Sequence, residues 1–90
     1  MAGYRVLIKP SAAKEIDAIG AKNDRQRTVA RILALGDEPR PVGCEKLAGA
    51  EGRYRVRQGQ FRVVYAINDT SHTVEVVKVG HRREVYRGTT

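Results

Sequence analysis

Cys44, His72 and His81 are the only cysteine and histidines in these 90 residues. A lone cysteine excludes an internal disulfide and any Cys-based metal cluster, and the two histidines do not stand at ligand spacing. No hydrophobic run approaches the roughly 20 residues that a membrane span requires. No signal-peptide pattern opens the chain either, since Met1–Tyr4 leads straight into a short alternating segment. The compartment expected from this is the cytoplasm, with no membrane partner. Internal repeats, low-complexity tracts and long linkers are also missing, so residues 1–90 are expected to form a single domain with one modest core. Acid is scarce as well. Ten Asp and Glu stand against 17 Lys and Arg, a formal net charge of +7, and the sequence pI is about 10.1. With 41% hydrophobic residues, the charge belongs to a folded chain and not to a basic tail. That balance points to an anionic partner, nucleic acid or an acidic protein.

What is present is concentrated in one stretch, Arg53 to Ile67, reading RYRVRQGQFRVVYAI. Strict alternation breaks at Gly59 and resumes with β-branched and aromatic residues, the pattern of a β-hairpin. A two-residue turn at Gly59 and Gln60 predicts that Gln58 faces Phe61, with Arg57 opposite Arg62, Val56 opposite Val63, Arg55 opposite Val64 and Tyr54 opposite Tyr65. Alternation then puts Tyr54, Val56, Phe61, Val63, Tyr65 and Ile67 on a core face. The other face carries Arg55, Arg57, Arg62, Val64 and Ala66, with no acid between Arg53 and Asn68 in the sequence. Like charges placed opposite one another on a sheet are destabilising, so stability gives no reason to build that face. It predicts an anion site. The plainer reading is that the arginines only keep an exposed sheet from aggregating.

In chain order, Tyr4 to Lys9 reads as a strand closed by Pro10. Ser11 is the expected N-cap of a helix carrying Ala12, Ile16 and Ile19, with Gly20 as its C-cap. Asp24 is the expected N-cap of a second helix, whose apolar stripe is Val29, Ile32 and Leu33. Gly36 to Gly52, rich in Gly and Pro, is expected to be a loop containing Cys44 and Lys46. After the hairpin, Thr73 to Val79 is a strand too continuously apolar for an edge, broken by Gly80. A basic tail, His81 to Arg87, follows. The expected architecture is α+β, ordered β-α-α-β-β-β: a small, mainly antiparallel twisted sheet with an αα-hairpin on one face.

That order, together with Lys46-Leu47-Ala48-Gly49, Tyr54-Arg55-Val56-Arg57, Phe61-Arg62-Val63-Val64-Tyr65 and Val79-Gly80-His81-Arg82-Arg83-Glu84-Val85-Tyr86, resembles the RelE/ParE toxin superfamily. The likeness is strongest to the RelE branch, the mRNA interferases of type II toxin–antitoxin systems. The resemblance implies ribosome-dependent cleavage of mRNA in the decoding site, without metal or other cofactor. It also implies inhibition by a cognate antitoxin, with operator DNA reached only through the antitoxin complex. By position, the family's basic pair falls on Arg55 and Arg57, its second-strand arginine on Arg62, the arginine of the last block on Arg82, and its tail tyrosine on Tyr86. One departure is that the best-known RelE type has lysines where this chain has Arg55 and Arg57. Arginine stays protonated, so those positions can hold phosphate but cannot exchange a proton.

RNA brings its own nucleophile, the 2′-OH. A ribonuclease must take that proton, stabilise a phosphorane and protonate the leaving 5′-oxygen. On the family pattern Tyr86 is the expected general base, since clustered guanidinium groups favour a phenolate. Arg62 and Arg82 are the expected phosphorane stabilisers. Arg55, Arg57, Lys46 and Arg83 are the expected phosphate ligands. His81 is a second choice for proton transfer, because imidazole titrates near neutrality. Each has a plainer reading: Tyr86 as tail packing, His81 as a solvated side chain, Lys46 as a loop cation. Two other functions stay open, a ParE-like toxin that inhibits DNA gyrase and a basic module that grips nucleic acid without cutting it. A face that docks an acidic partner is compatible with any of these.

Overall fold

The computed structural model of the chain describes residues 3–49 and 52–81. Seven elements follow one another: β1 (Arg5–Ile8), α1 (Pro10–Asp17), α2 (Lys22–Ala34), β2 (Glu45–Lys46), β3 (Arg53–Gln58), β4 (Phe61–Asn68) and β5 (Thr73–His81). The strands make one five-stranded sheet in the order β1-β5-β4-β3-β2. β1 runs parallel to β5, and every other neighbouring pair is antiparallel. The α+β order expected from the sequence is present, with one strand added. Glu45–Lys46, expected inside a loop, pairs along β3 as a two-residue edge strand.

The hairpin has the expected register at every pair from Gln58–Phe61 to Tyr54–Tyr65. Gly59 makes the two-residue turn possible with a φ of +60°, a conformation that an L side chain resists. On the core face, Val56, Val63, Tyr65 and Ile67 meet Val74, Val76 and Val79 of β5. Ala12 and Ile16 of α1, Ile19 just beyond it, Ile32 of α2 and its C-cap Leu35 close over them.

The helices differ from expectation at their ends. α1 begins at Pro10, with Lys9 as its N-cap, so Ser11 lies inside the first turn. Proline suits that first position because its missing N–H would have had no partner there. α1 stops at Asp17 with Ala18 as C-cap, short of Gly20. α2 starts two residues before Asp24, with Ala21 as N-cap. Asp24 therefore sits in the first turn, where a carboxylate complements the helix dipole. The stripe is also rotated: Thr28 and Ile32 are buried, Val29 is half-buried and Leu33 is exposed. Thr28 tolerates burial because its hydroxyl donates to the Asp24 carbonyl at 2.8 Å.

β5 runs through Gly80 to His81, so Gly80 does not break it. The ladder slips between Val64 and Tyr65: Val64 pairs with Lys78 and Tyr65 with Val76, leaving Val77 as the extra residue of a bulge. Glu15 on α1 repairs the irregularity. Its carboxylate accepts from the Val79 N–H at 2.9 Å and pairs with Lys78 Nζ at 3.1 Å. A helix is thereby tied to the strand segment that leads into His81.

At the far end of the sheet, Arg40 pairs with Asp69 through two nitrogens at 2.9 and 3.3 Å, and donates to the Tyr54 hydroxyl at 3.2 Å. Tyr4 donates its hydroxyl to the same carboxylate at 2.6 Å. Arg40 and then Tyr4 hold the Asp69 carboxyl below its ordinary range. A depressed carboxyl contributes stability that is present above its unfolded pKa and lost as pH falls through its folded one. Urea midpoints should therefore drop as pH is lowered below about 4, and Asp69→Asn should flatten that drop. Among the described residues no helix is long and apolar enough to cross a membrane.

Candidate phosphate-binding face

The hairpin register places Arg57 directly opposite Arg62, and Arg62 is opposite Gly80 on its other side. One step from the hairpin turn, the row across the three central strands therefore reads Arg57, Arg62, Gly80. A glycine at this position leaves no side chain beside the long arginine. Arg55 lies two residues along β3 from Arg57, on the same face, opposite Val64. Val64 is buried and gives the cluster an apolar floor. Three guanidinium groups thus share one face of the sheet, as the alternation implied.

They are not equally exposed. Arg57 is exposed, whereas Arg62 retains only 7% of its accessible surface. Its Nη1 is buried with no hydrogen-bond partner among the described residues. A buried, unmatched donor on a charged group costs more than an ordinary missing hydrogen bond. A bound anion is one of the ways in which such a group finds its acceptor, and the neighbouring Arg57 and Arg55 favour that explanation here. Arg62 is therefore the strongest sign of an anion site on this face.

The face is not free of acid, which corrects the sequence expectation. β2 brings Glu45 alongside Arg55 in register, and the carboxylate pairs with Arg55 Nη2. The Arg55 guanidinium holds the Glu45 carboxyl below its usual range, with smaller contributions from Arg57 and Arg62. The same register sets Lys46 opposite Tyr54. Alternation then starts its side chain from the other face, so Lys46 is not brought into the arginine cluster. No periodicity in the sequence could have shown this, because a two-residue strand has none.

His81 pairs with Phe61, one step along the ladder from Arg62 and Gly80, and the two rings meet edge-on at 6.1 Å between centroids. Phe61 and His81 line a cleft of about 290 Å³ with Glu15, Ile19 and Gly80 at the end of the sheet. Arg82, Arg83 and Tyr86 lie outside the described residues. Cys44 is half-buried against the core beside Tyr65. Among the described residues no three His, Cys, Asp or Glu side chains gather as a metal site would need.

Residues 6–86 match the family described as the ParE toxin of type II toxin–antitoxin systems. The chain belongs to the RelE/ParE toxin superfamily. Toxin RelE of Mycobacterium tuberculosis is 31% identical over 84 residues, covering 93% of this chain and 87% of the relative. Toxin RelG of the same organism is 33% identical over 76 residues, 74% of this chain and 87% of that protein. Among solved structures, RelE in the archaeal RelE–RelB complex of Pyrococcus horikoshii superposes with a TM-score of 0.77 at 28% identity, covering 88% of this chain and 94% of that one. The isolated E. coli RelE toxin gives 0.76 at 27% identity, covering 96% and 94%. The shared RelE architecture is the α+β sheet and helix pair described above, and the arginine face lies on its central hairpin.

Proposed function

We propose that this toxin is a ribosome-dependent endoribonuclease that cleaves mRNA in the decoding site and so stops translation. The observation that carries the reading is the cluster of Arg55, Arg57 and Arg62 on one face of the sheet, with Arg62 at 7% exposure, its Nη1 without a hydrogen-bond partner among the described residues, and Gly80 beside it. Such a cluster is suited to receive phosphate oxygens, and its charge would interact most strongly when the phosphorane carries its extra charge. Arg55 and Arg57 would hold the flanking backbone phosphates.

In the reaction, the 2′-OH of the nucleotide 5′ to the break attacks its own 3′-phosphate. The 2′-proton passes to the base as the new P–O bond forms, and the 5′-oxygen leaves with a proton. The products are a 2′,3′-cyclic phosphate and a 5′-hydroxyl. Tyr86 is assigned as the base and Arg82, two residues beyond Gly80 in the chain, as the second phosphorane stabiliser. Arg83 is a further phosphate ligand, and His81 is the other group able to carry a proton. The chain would act in the cytoplasm, with mRNA and the ribosome as partners. A cognate antitoxin with an acidic, amphipathic segment would cover the arginines, as suggested by relatives whose structures contain RelB. Operator DNA would be contacted only through that complex.

A gyrase-inhibiting function is the second reading, because the matching family carries the ParE description. The RelE and RelG relatives support the first. Tyr86→Phe tests the assignment. The variant should lose mRNA cleavage on ribosomes by at least about a hundredfold while binding RNA as wild type does. Unchanged cleavage would remove Tyr86 from the mechanism. Relaxed DNA accumulating in a supercoiling assay, with mRNA left whole, would support the gyrase reading.

A further inference from the structure

We infer that Glu45 is a built-in counter-ion of the arginine face, a carboxylate that competes with substrate phosphate for Arg55 and holds down the affinity of the site for loose RNA. The inference rests on the RNA reading above and concerns a residue to which that reading gives no role. Glu45 and Arg55 are direct partners across the β2–β3 ladder, so their side chains leave the sheet on the same face. They form an ion pair there.

The two partners are held very differently. The Arg55 side chain is 15% exposed and stands on a six-residue strand paired on both sides. Glu45 is 63% exposed and stands on a two-residue strand at the edge of the sheet. The sheet register fixes the face from which Arg55 leaves, with Val64 as its neighbour on β4. Glu45 is the partner able to swing into water.

Carboxylate and phosphate oxygens are recognised by the same guanidinium donors. A phosphate reaching Arg55 therefore meets an acceptor of like charge already in place. Arg57 and Arg62 also attract that carboxylate, which ties its charge to the whole cluster. Binding must displace Glu45, and every RNA that binds pays that cost. An exposed ion pair is weak, so the displacement is easy when the RNA is delivered in a fixed position. The same displacement discourages RNA that is merely diffusing past. The cost is the same for both, but free RNA has no ribosomal contacts to offset it and is left weakly bound.

The test is equilibrium binding of a short single-stranded RNA oligonucleotide to the purified toxin, measured across a salt series for wild type, Glu45→Gln, Arg55→Gln and the double variant. Glu45→Gln should bind about threefold tighter at low salt, with a salt slope steeper by about 0.7, the equivalent of one added counter-ion. In the Arg55→Gln background the gain should shrink towards nothing. Equal or weaker binding by Glu45→Gln overturns the inference, as does an equal gain without Arg55. Cleavage of ribosome-bound mRNA separates this outcome from failure of the enzyme reading. Wild type that cleaves while Glu45→Gln gains no affinity refutes only the counter-ion role. Wild type that binds but never cuts refutes only the nuclease. Wild type that neither binds nor cuts refutes both.

Discussion

Arg62→Ala should lower the rate of mRNA cleavage on ribosomes by about a hundredfold to a thousandfold, the usual loss when one preorganised charge stabiliser is removed. The same change should leave folding stability nearly as it was. Two opposing terms lie behind that expectation. The substitution removes a buried guanidinium whose Nη1 has no acceptor among the described residues, which relieves a desolvation cost. It also removes the aliphatic stem that covers the sheet between Arg57 and Gly80, which loses packing. The net change should stay within about 1 kcal/mol in either direction. Rapid-quench cleavage on programmed ribosomes gives the first quantity and urea denaturation the second. A large fall in stability would mean that Arg62 is a structural residue. A small fall in rate would mean that the face does not hold the reacting phosphate. Separation of activity from stability is the signature expected of a site residue kept at the expense of the fold.

The largest effect on the fold itself belongs to Tyr65. Its ring is fully buried in the middle of β4, and its hydroxyl donates to the Pro39 carbonyl at 2.7 Å. Burial is the main reason that its phenol ionises well above the ordinary tyrosine range. Tyr65→Ala should cost about 3–5 kcal/mol through lost transfer energy and the cavity left behind. A domain of this size has roughly 5–15 kcal/mol to lose, so the variant should be close to unfolded at body temperature. Tyr65→Phe separates the two contributions. It keeps the ring and should cost only about 1 kcal/mol, for the hydrogen bond and the stranded carbonyl. Chemical denaturation of both variants, with circular dichroism as the readout, checks the pair. An Ala cost as small as the Phe cost would contradict the placement of Tyr65 at the centre of the core. The raised phenol adds a pH dependence. A tyrosine raised in the folded state contributes stability that is present below its unfolded pKa, near 10, and that is lost in stronger alkali.

The parts of this protein that could be read from its sequence are those governed by local rules with a short period. Alternation about Gly59 predicted the hairpin register pair by pair, because side chains change face at each residue and a two-residue turn allows one alignment. The arginine face follows from that register alone. Features set by tertiary packing could not be read in the same way. Glu45 enters the site from a strand of two residues, too short for any pattern, and a carboxylate in a Gly- and Pro-rich stretch carries no address. Gly80 was expected to end a strand because glycine usually does, yet here it continues one beside Arg62. The Val77 bulge sits beside a contact from far away in the chain, where the Glu15 carboxylate accepts from the Val79 N–H. Leu33 satisfied the spacing of an apolar stripe, but α2 turns Thr28 and Ile32 inward instead. Family resemblance supplied what neither alternation nor charge could, the assignment of Tyr86 and Arg82 to chemistry.

The most direct test of the RNA reading is primer extension along an mRNA held on programmed ribosomes, compared with the same mRNA free in solution. The account predicts a new stop within the codon in the decoding site, a 2′,3′-cyclic phosphate at the cut, and little or no cutting of the free message. Intact mRNA on toxin-treated ribosomes, from protein that is folded and free of antitoxin, would contradict it.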